Sequence, residues 1–228
     1  MLKTDCTREP QYQRDLEIAR TLGLTTLGLM TNQAWHDDPK HLLFTAARYK
    51  FVAKMLSGKK RVLEVGCADA FFTRLVVQEV ESLVATDFDE IFVDDVKERM
   101  NSRWTFEVRQ HDLLAGPFPG EFDAAYAMDV IEHIVPSDEI LFIKNIVKSL
   151  APQGILILGS PSFESQIYAS PQSKTGHVNC KTAPQMRELM SHFFHNIFLF
   201  SMNDEVVHTG YAPMAHYQLA IGCTRKET

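Results

Sequence analysis

The chain has 228 residues, 45% hydrophobic and 23% charged, with a formal net charge of −6. That suffices for the core of one α/β domain with a modest extension, and the acidic balance leaves no broad basic face for a phosphate backbone, so nucleic acid is not an expected partner. The four cysteines (Cys6, Cys67, Cys180, Cys223) form no CxxC pair and read as free thiols in a reducing cytoplasm; with no charged-then-apolar leader and no apolar run near about eighteen residues, a soluble cytoplasmic protein without a membrane partner is expected.

Gln11–Leu22 is the first predicted helix, ending near Gly23. Asp38-Pro39 opens a second, with Leu42, Leu43, Ala46, Tyr49, Val52, Ala53 and Leu56 on its apolar side and Gly58 as its stop. Arg61–Asp87 is the stretch that carries most information. Val62, Leu63 and Val65 read as a buried strand ending at Gly66. Gly66, Ala68 and Ala70 then alternate with Cys67 and Asp69, a turn with almost no side chains, and Phe71, Phe72, Leu75, Val76 and Val80 follow at helical spacing. Ser82–Thr86 is a second strand, closed by Asp87. Small residues let a backbone approach a ligand, and an acid at the end of the second strand accepts the two hydroxyls of a ribose.

Asp89–Met100 predicts a helix, Trp104–Val108 a strand, and Gln110-His111-Asp112-Leu113 a loop. Phe122–Met128 is the fourth strand and runs into Asp129-Val130-Ile131-Glu132-His133. Pro136-Ser137 opens a helix through Leu150, with Asp138 and Glu139 in its first turn where the helix dipole favours them. Ile155–Ser160 is the fifth strand, after a Pro152-Gln153-Gly154 turn. Residues 161–181 show no periodicity and hold Phe163, Tyr168, His177 and Asn179. Thr182-Ala183-Pro184-Gln185 is a capping box. Asn196–Ser201 and His216–Cys223 are the last strands, with no helix between them. Strands alternating with helices predict a Rossmann-like, doubly wound, mostly parallel sheet of seven strands, the last antiparallel, with helices on both faces.

The spacing of Glu64, Gly66, Ala68 and Ala70 resembles the first motif of the class I S-adenosylmethionine-dependent methyltransferases, which usually carry glycine where Ala68 and Ala70 stand. A dinucleotide frame would put a third glycine at Phe71, so an NAD-type oxidoreductase is disfavoured. The resemblance runs from about Tyr49 to the C-terminus. It implies S-adenosylmethionine as cofactor, with Glu64, Gly66, Cys67, Ala68, Asp87, Phe88, Asp112, Leu113 and Met128 around it: Asp87 on the ribose, and Asp112 and the Leu113 backbone at the adenine. It further implies a helical cap, residues 1–58, over the cofactor site of a methyltransferase domain, residues 59–228. Within that cap Trp35, Arg48, Tyr49 and Lys50 are the candidates to fold over the cofactor.

Ligands in an open parallel sheet bind outside the carboxyl ends of its strands. Three histidines, His133, His177 and His208, fall in the segments that rule selects. Methyl transfer to a hydroxyl needs a proton acceptor, a task suited to histidine. His133 is the first candidate, since small-molecule and sugar O-methyltransferases often carry a catalytic histidine at the same place; His177 and His208 are substrate-orienting groups or alternative bases. Asp129, His133, His177, Asp204, Glu205 and His208 could gather around a divalent ion, as some O-methyltransferases use one, but they show no diagnostic metal-ligand spacing; no metal ligand is assigned and a metal stays a minor alternative. The fourth strand lacks the Asn/Asp-Pro-Pro-aromatic motif of base-amino methyltransferases. The resemblance therefore implies a small polar acceptor, a hydroxyl of a sugar, nucleotide-linked sugar or natural product. A nitrogen acceptor and a non-catalytic partner keeping the fold remain alternatives; oligomeric state is not indicated.

Overall fold

A computed structural model describes residues 6–227, so the first five residues of the expected cap, and the final residue, lie outside the described residues. The chain runs α1 (Gln13–Leu22), α2 (Leu29–Asp37), α3 (His41–Met55), β1 (Arg61–Val65), α4 (Thr73–Val77), β2 (Ser82–Asp87), α5 (Glu90–Arg99), β3 (Glu107–Gln110) and β4 (Phe122–Met128). It continues with α6 (Glu139–Lys148), β5 (Leu150–Pro161), α7 (Pro171–Gly176), α8 (Ala183–Ser191), β6 (Phe194–Asn203), β7 (Val206–His208) and β8 (Tyr217–Arg225). The strands form one sheet in the order β3-β2-β1-β4-β5-β8-β6-β7. β1 through β5 pair in parallel, β8 lies antiparallel between β5 and β6, and β7 pairs antiparallel with β6.

Alternation along the strands divides the core between the two faces. Leu63, Val65, Ala125 and Ala127 pack with Phe142, Ile146, Met186 and Met190 from α6 and α8. Their neighbours Val62, Ala124, Tyr126 and Met128 pack with Tyr49, Val52, Ala53 and Leu56 of α3 and with Val76 and Val96. The apolar side of α3 is therefore a wall of the same core as the sheet.

The sheet has eight strands where seven were expected. The addition is β7, a three-residue edge strand inside a segment that reads as a loop, too short to carry a period. α2 is also new; only Thr31 along it is buried. Its N-terminus, rather than an apolar face, is what is tied down: the Thr31 amide donates to Asp69 Oδ2 at 2.6 Å. β5 begins at Leu150, which pairs with Phe122 across a register shift, so the expected Pro152–Gly154 turn is absorbed into the strand. α4 is one short turn-and-a-half, ending at Val77. The capping box forms as read, with Thr182 and Gln185 bonding each other's backbone. Among the described residues no helix is long and apolar enough to cross a membrane.

Candidate functional site

The strand order reverses between β1 and β4, and the crevice outside their carboxyl ends is where an open α/β sheet takes its ligand. One wall is the turn after β1. Gly66, Ala68 and Ala70 sit at φ of 70°, 45° and 47°, the left-handed region in which a side chain costs about 1–2 kcal/mol per residue. This explains why only the smallest residues stand there. A Cβ on Gly66 would come 2.5 Å from Val130 Cγ2, so that position admits no side chain at all.

The turn is held from β2. Asp87, 6% exposed, accepts from the Ala68 amide at 2.8 Å through Oδ2 and from the Asp89 amide at 3.0 Å through Oδ1. A carboxylate has about four acceptor sites, so each oxygen keeps one for a further donor. Phe88, next along, is 70% exposed, an apolar face at the crevice with little covering it. Asp112 Oδ1 caps its own turn by accepting from the Leu114 amide at 2.8 Å, and the Leu113 carbonyl accepts from Asn145. Leu113 and Met128 are buried. Cys67 is buried too, and burial pushes its thiol far up, so only its backbone is chemically available.

Glu64 faces inward. Its carboxylate, 1% exposed, accepts from the Tyr49 hydroxyl at 2.8 Å and the Thr73 hydroxyl at 2.7 Å, tying β1 to α3 and α4. The Tyr126 hydroxyl approaches it but falls outside hydrogen-bond geometry and has no other partner. Burial pushes the Glu64 carboxyl up to about 7, against the pull of the Thr73 and Tyr49 hydroxyls. Between about pH 4.5 and 7 the folded chain thus holds a proton here that the unfolded chain releases, and stability falls as pH rises through that window. Denaturant unfolding across it should show a negative slope that Glu64→Gln flattens; an unchanged slope would assign the effect elsewhere.

The other wall is the end of β4. Asp129 takes φ 59°, a conformation aspartate tolerates better than most residues. Its two oxygens accept from Arg48 Nη1 at 2.8 and 2.9 Å, and the Arg48 guanidinium lies 3.9 Å from the centre of the Tyr217 ring. A short 3-10 turn, Ile131–His133, follows. Glu132 is 0% exposed and, among the described residues, neither carboxylate oxygen has a hydrogen-bond partner. Burial holds its carboxyl well above the usual range, with the Asp129 charge adding to the effect and Arg48 opposing it.

Residues 161–181 fold back onto this turn. The Val178 and Asn179 amides both donate to the Glu132 carbonyl, at 2.9 and 3.0 Å, which fixes His177 beside His133. The two rings meet edge to face with centroids 5.2 Å apart. His133 Nδ1 is 2.9 Å from the Gly176 carbonyl and His177 Nδ1 is 2.9 Å from Gln166 Oε1. Both partners are acceptors, so each Nδ1 carries the hydrogen and each Nε2 keeps its lone pair. Burial lowers the His177 pKa, with the nearby His133 adding to it, and so favours the neutral ring.

The structure thus joins two of the three expected histidines and separates the third. His208 lies on β7, at the far edge of the sheet, with β5, β8 and β6 between it and β4. Its Nδ1 accepts from the Gly210 amide and its Nε2 meets Asn203 Oδ1, each at 2.9 Å. With both ring nitrogens engaged it has no lone pair for a substrate proton. Of the cap residues, Tyr49 packs into the core described above, Arg48 is buried against Asp129 and Tyr217, Trp35 is 54% exposed, and Lys50 is exposed. Two participants had no sequence signal as such: Glu132 reads as one more surface acid in a turn, and Asp69 as a loop aspartate.

Residues 62–154 match the model of a methyltransferase domain. A probable S-adenosylmethionine-dependent methyltransferase of Mycobacterium tuberculosis is 29% identical over 102 residues, 44% of this chain and 35% of that protein. A probable S-adenosylmethionine-dependent methyltransferase of Mycolicibacterium smegmatis is 26% identical over 147 residues, 62% of this chain and 54% of its own length. The chain therefore spans about a third to a half of the length of the curated relatives it matches. Among solved structures, the N-methyltransferase NodS of Bradyrhizobium japonicum WM9 with S-adenosylhomocysteine superposes with TM-score 0.59 at 19% identity, covering 85% of this chain and 91% of that one. A TehB-like S-adenosylmethionine-dependent methyltransferase of Corynebacterium glutamicum gives TM-score 0.62 at 14% identity over 86% of this chain and 96% of that one. The fold is that of the class I methyltransferases. Residues 62–154 are similar to a methyltransferase domain, and the cofactor that this similarity and the fold imply is S-adenosylmethionine.

Proposed function

We propose that the chain is an S-adenosylmethionine-dependent methyltransferase acting on a hydroxyl of a small polar molecule, such as a sugar or nucleotide-linked sugar. The observation that supports cofactor binding is the turn 66–70: three left-handed small residues with the Ala68 amide pinned by Asp87. Asp87 would accept the ribose hydroxyls through its remaining acceptor sites, with Phe88, Asp112 and Leu113 around the base and Met128 beneath. Glu64 would act at one remove, by fixing the strand that presents the turn. Residues 1–58 would cap the site, α2 through its contact with Asp69 and α3 through Arg48. When bound, the cofactor supplies a methyl group on a positively charged sulfur.

Oxygen rather than nitrogen is favoured by the two Nε2 lone pairs at the end of β4. An amine attacks with its own lone pair, whereas a hydroxyl must lose a proton as it attacks, and groups that ease that loss are then required. In this reading His133 and His177 supply them. The acidic chain and the fourth-strand sequence argue against a nucleic-acid acceptor.

Calorimetric titration with S-adenosylmethionine and its demethylated product tests the first half. The folded chain should bind both, and Asp87→Ala should weaken them at least tenfold, since charge-assisted hydrogen bonds contribute about 1.5–3 kcal/mol. That variant also frees two backbone amides, so its affinity is to be compared with Asp87→Asn, which keeps one acceptor. Unchanged affinity in a folded Asp87→Ala chain would remove Asp87 from the site.

A further inference from the structure

Glu132 is the unexplained group at the end of β4: a carboxylate with 0% exposure and, among the described residues, no hydrogen-bond partner on either oxygen. Leaving a carboxylate buried and alone is costly, and proteins that keep one pair it with a cation. The neighbouring protein cation, Arg48, makes no hydrogen bond to it; its Nη1 holds both oxygens of Asp129. Two imidazoles do lie beside Glu132. One of its oxygens, a ring nitrogen of His133 and a ring nitrogen of His177 all lie within 4.8 Å of one another.

The hydrogen bonds around the rings point the same way. Each imidazole gives its Nδ1 hydrogen to a fixed oxygen, Gly176 O or Gln166 Oε1, and keeps Nε2 bare. Metal-ligating histidines are oriented in this fashion, the far nitrogen bonded to a carbonyl or carboxylate that sets tautomer and angle. The loop bearing His177 is itself fastened to the Glu132 carbonyl by two amides, so the three groups sit on one braced unit.

We propose that Glu132, His133 and His177 bind one divalent transition-metal cation. Two neutral imidazoles and one carboxylate make a donor set suited to zinc, iron, cobalt or nickel, and three protein ligands leave coordination positions open. Ligand atoms around such an ion stand roughly 3 Å apart, since each bond is about 2.0–2.2 Å, so small rotations of the three side chains close the site. The site stands on its own geometry; its role rests on the methyltransferase reading. In that role the cation takes the acceptor hydroxyl in an open position and lowers its pKa, so that its proton leaves to water before the oxygen attacks the methyl carbon. The two lone pairs then act on the acceptor through the ion rather than by taking the proton themselves.

The test needs neither cofactor nor acceptor. The full chain, stripped with a chelator and dialysed, is titrated with Co²⁺ by calorimetry and visible absorption. One equivalent should bind with a d–d band. His177→Ala, His133→Ala and Glu132→Gln should each weaken uptake at least tenfold. Gln166→Glu, which keeps an acceptor for His177 Nδ1, should retain uptake, while Gln166→Ala, which removes that brace together with bonds to Ser162 and Ser165, should weaken it about 10- to 100-fold. His195→Ala, exposed on β6, should leave it unchanged. Absence of stoichiometric Co²⁺ uptake, or uptake that survives both His177→Ala and Glu132→Gln in chains with native circular dichroism, overturns the proposal. A chain that binds S-adenosylmethionine normally yet takes no Co²⁺ loses this site and keeps the methyltransferase reading. One that takes Co²⁺ but no S-adenosylmethionine keeps the site and loses the role given to it.

Discussion

Replacing Ala68 by leucine is expected to abolish S-adenosylmethionine binding while leaving most of the fold's stability in place. Ala68 sits at φ 45° with its side chain half-buried at the crevice, and its amide is already bound to Asp87. Three additional carbons there have no pocket in the core to enter, so they occupy the space a ligand needs for close backbone approach. A ligand excluded in this way should lose more than about a hundredfold in affinity, equivalent to roughly 2.7 kcal/mol. Ala70 provides the internal control. It has the same left-handed backbone but is only 4% exposed and belongs to the core cluster with Tyr49 and Val76. Ala70→Leu should therefore act chiefly on melting temperature, because overpacking a filled core costs about 1–3 kcal/mol. Calorimetry and thermal unfolding on the two variants separate the cases. An Ala68→Leu chain that is destabilised yet binds with normal affinity would make the turn a packing feature and remove the main support for cofactor binding.

That contrast also shows where the sequence was legible. β4 was read end for end as Phe122–Met128, because a strand buried on both faces is a continuous apolar run. The capping box at Thr182 was legible because its signal is local. α2 and β7 were not, for a shared reason: neither is specified by an apolar period. α2 is anchored through one amide to Asp69, thirty-eight positions away along the chain, and β7 is an edge strand paired on one side only. The site divides in the same way. That His133 and His177 should face the crevice follows from the sheet rule, since His133 lies just past the end of β4 and His177 in the segment that follows β5. That His208 should not follows from a strand order in which β8 inserts between β5 and β6 and carries the last hairpin outward. The Arg48–Asp129 pair spans eighty-one positions, and the isolation of Glu132 depends on the 161–181 segment closing over it. Burial of a charge by a distant loop leaves no trace in its neighbours' residue types, which is why the acid that looked most ordinary is the one with no partner.

His133→Ala is expected to lower turnover by about a hundred- to ten-thousand-fold, the range that easing a proton's departure contributes, with S-adenosylmethionine affinity nearly unchanged. The second half matters as much as the first. His133 lies on the β4 side of the crevice, bonded to Gly176 rather than to any residue of the turn 66–70 or to Asp87. A purely structural role would loosen the 161–181 segment and lower thermal stability in step with activity. A role in the reaction separates them: kcat falls and the melting temperature holds. His177→Ala should fall to a similar level, because the two rings are held edge to face and a nitrogen of each lies within 4.8 Å of the other and of one Glu132 oxygen. The double variant should then be little worse than either single one, as happens when groups act as a unit and the first deletion already removes the function. The assay is formation of S-adenosylhomocysteine against the acceptor that a screen of hydroxyl compounds, begun with nucleotide-linked sugars, identifies. Near-full turnover in His133→Ala would place the proton's exit elsewhere. Strictly multiplicative losses in the double variant would show two independent roles, and the convergence of the two rings would then have no catalytic meaning.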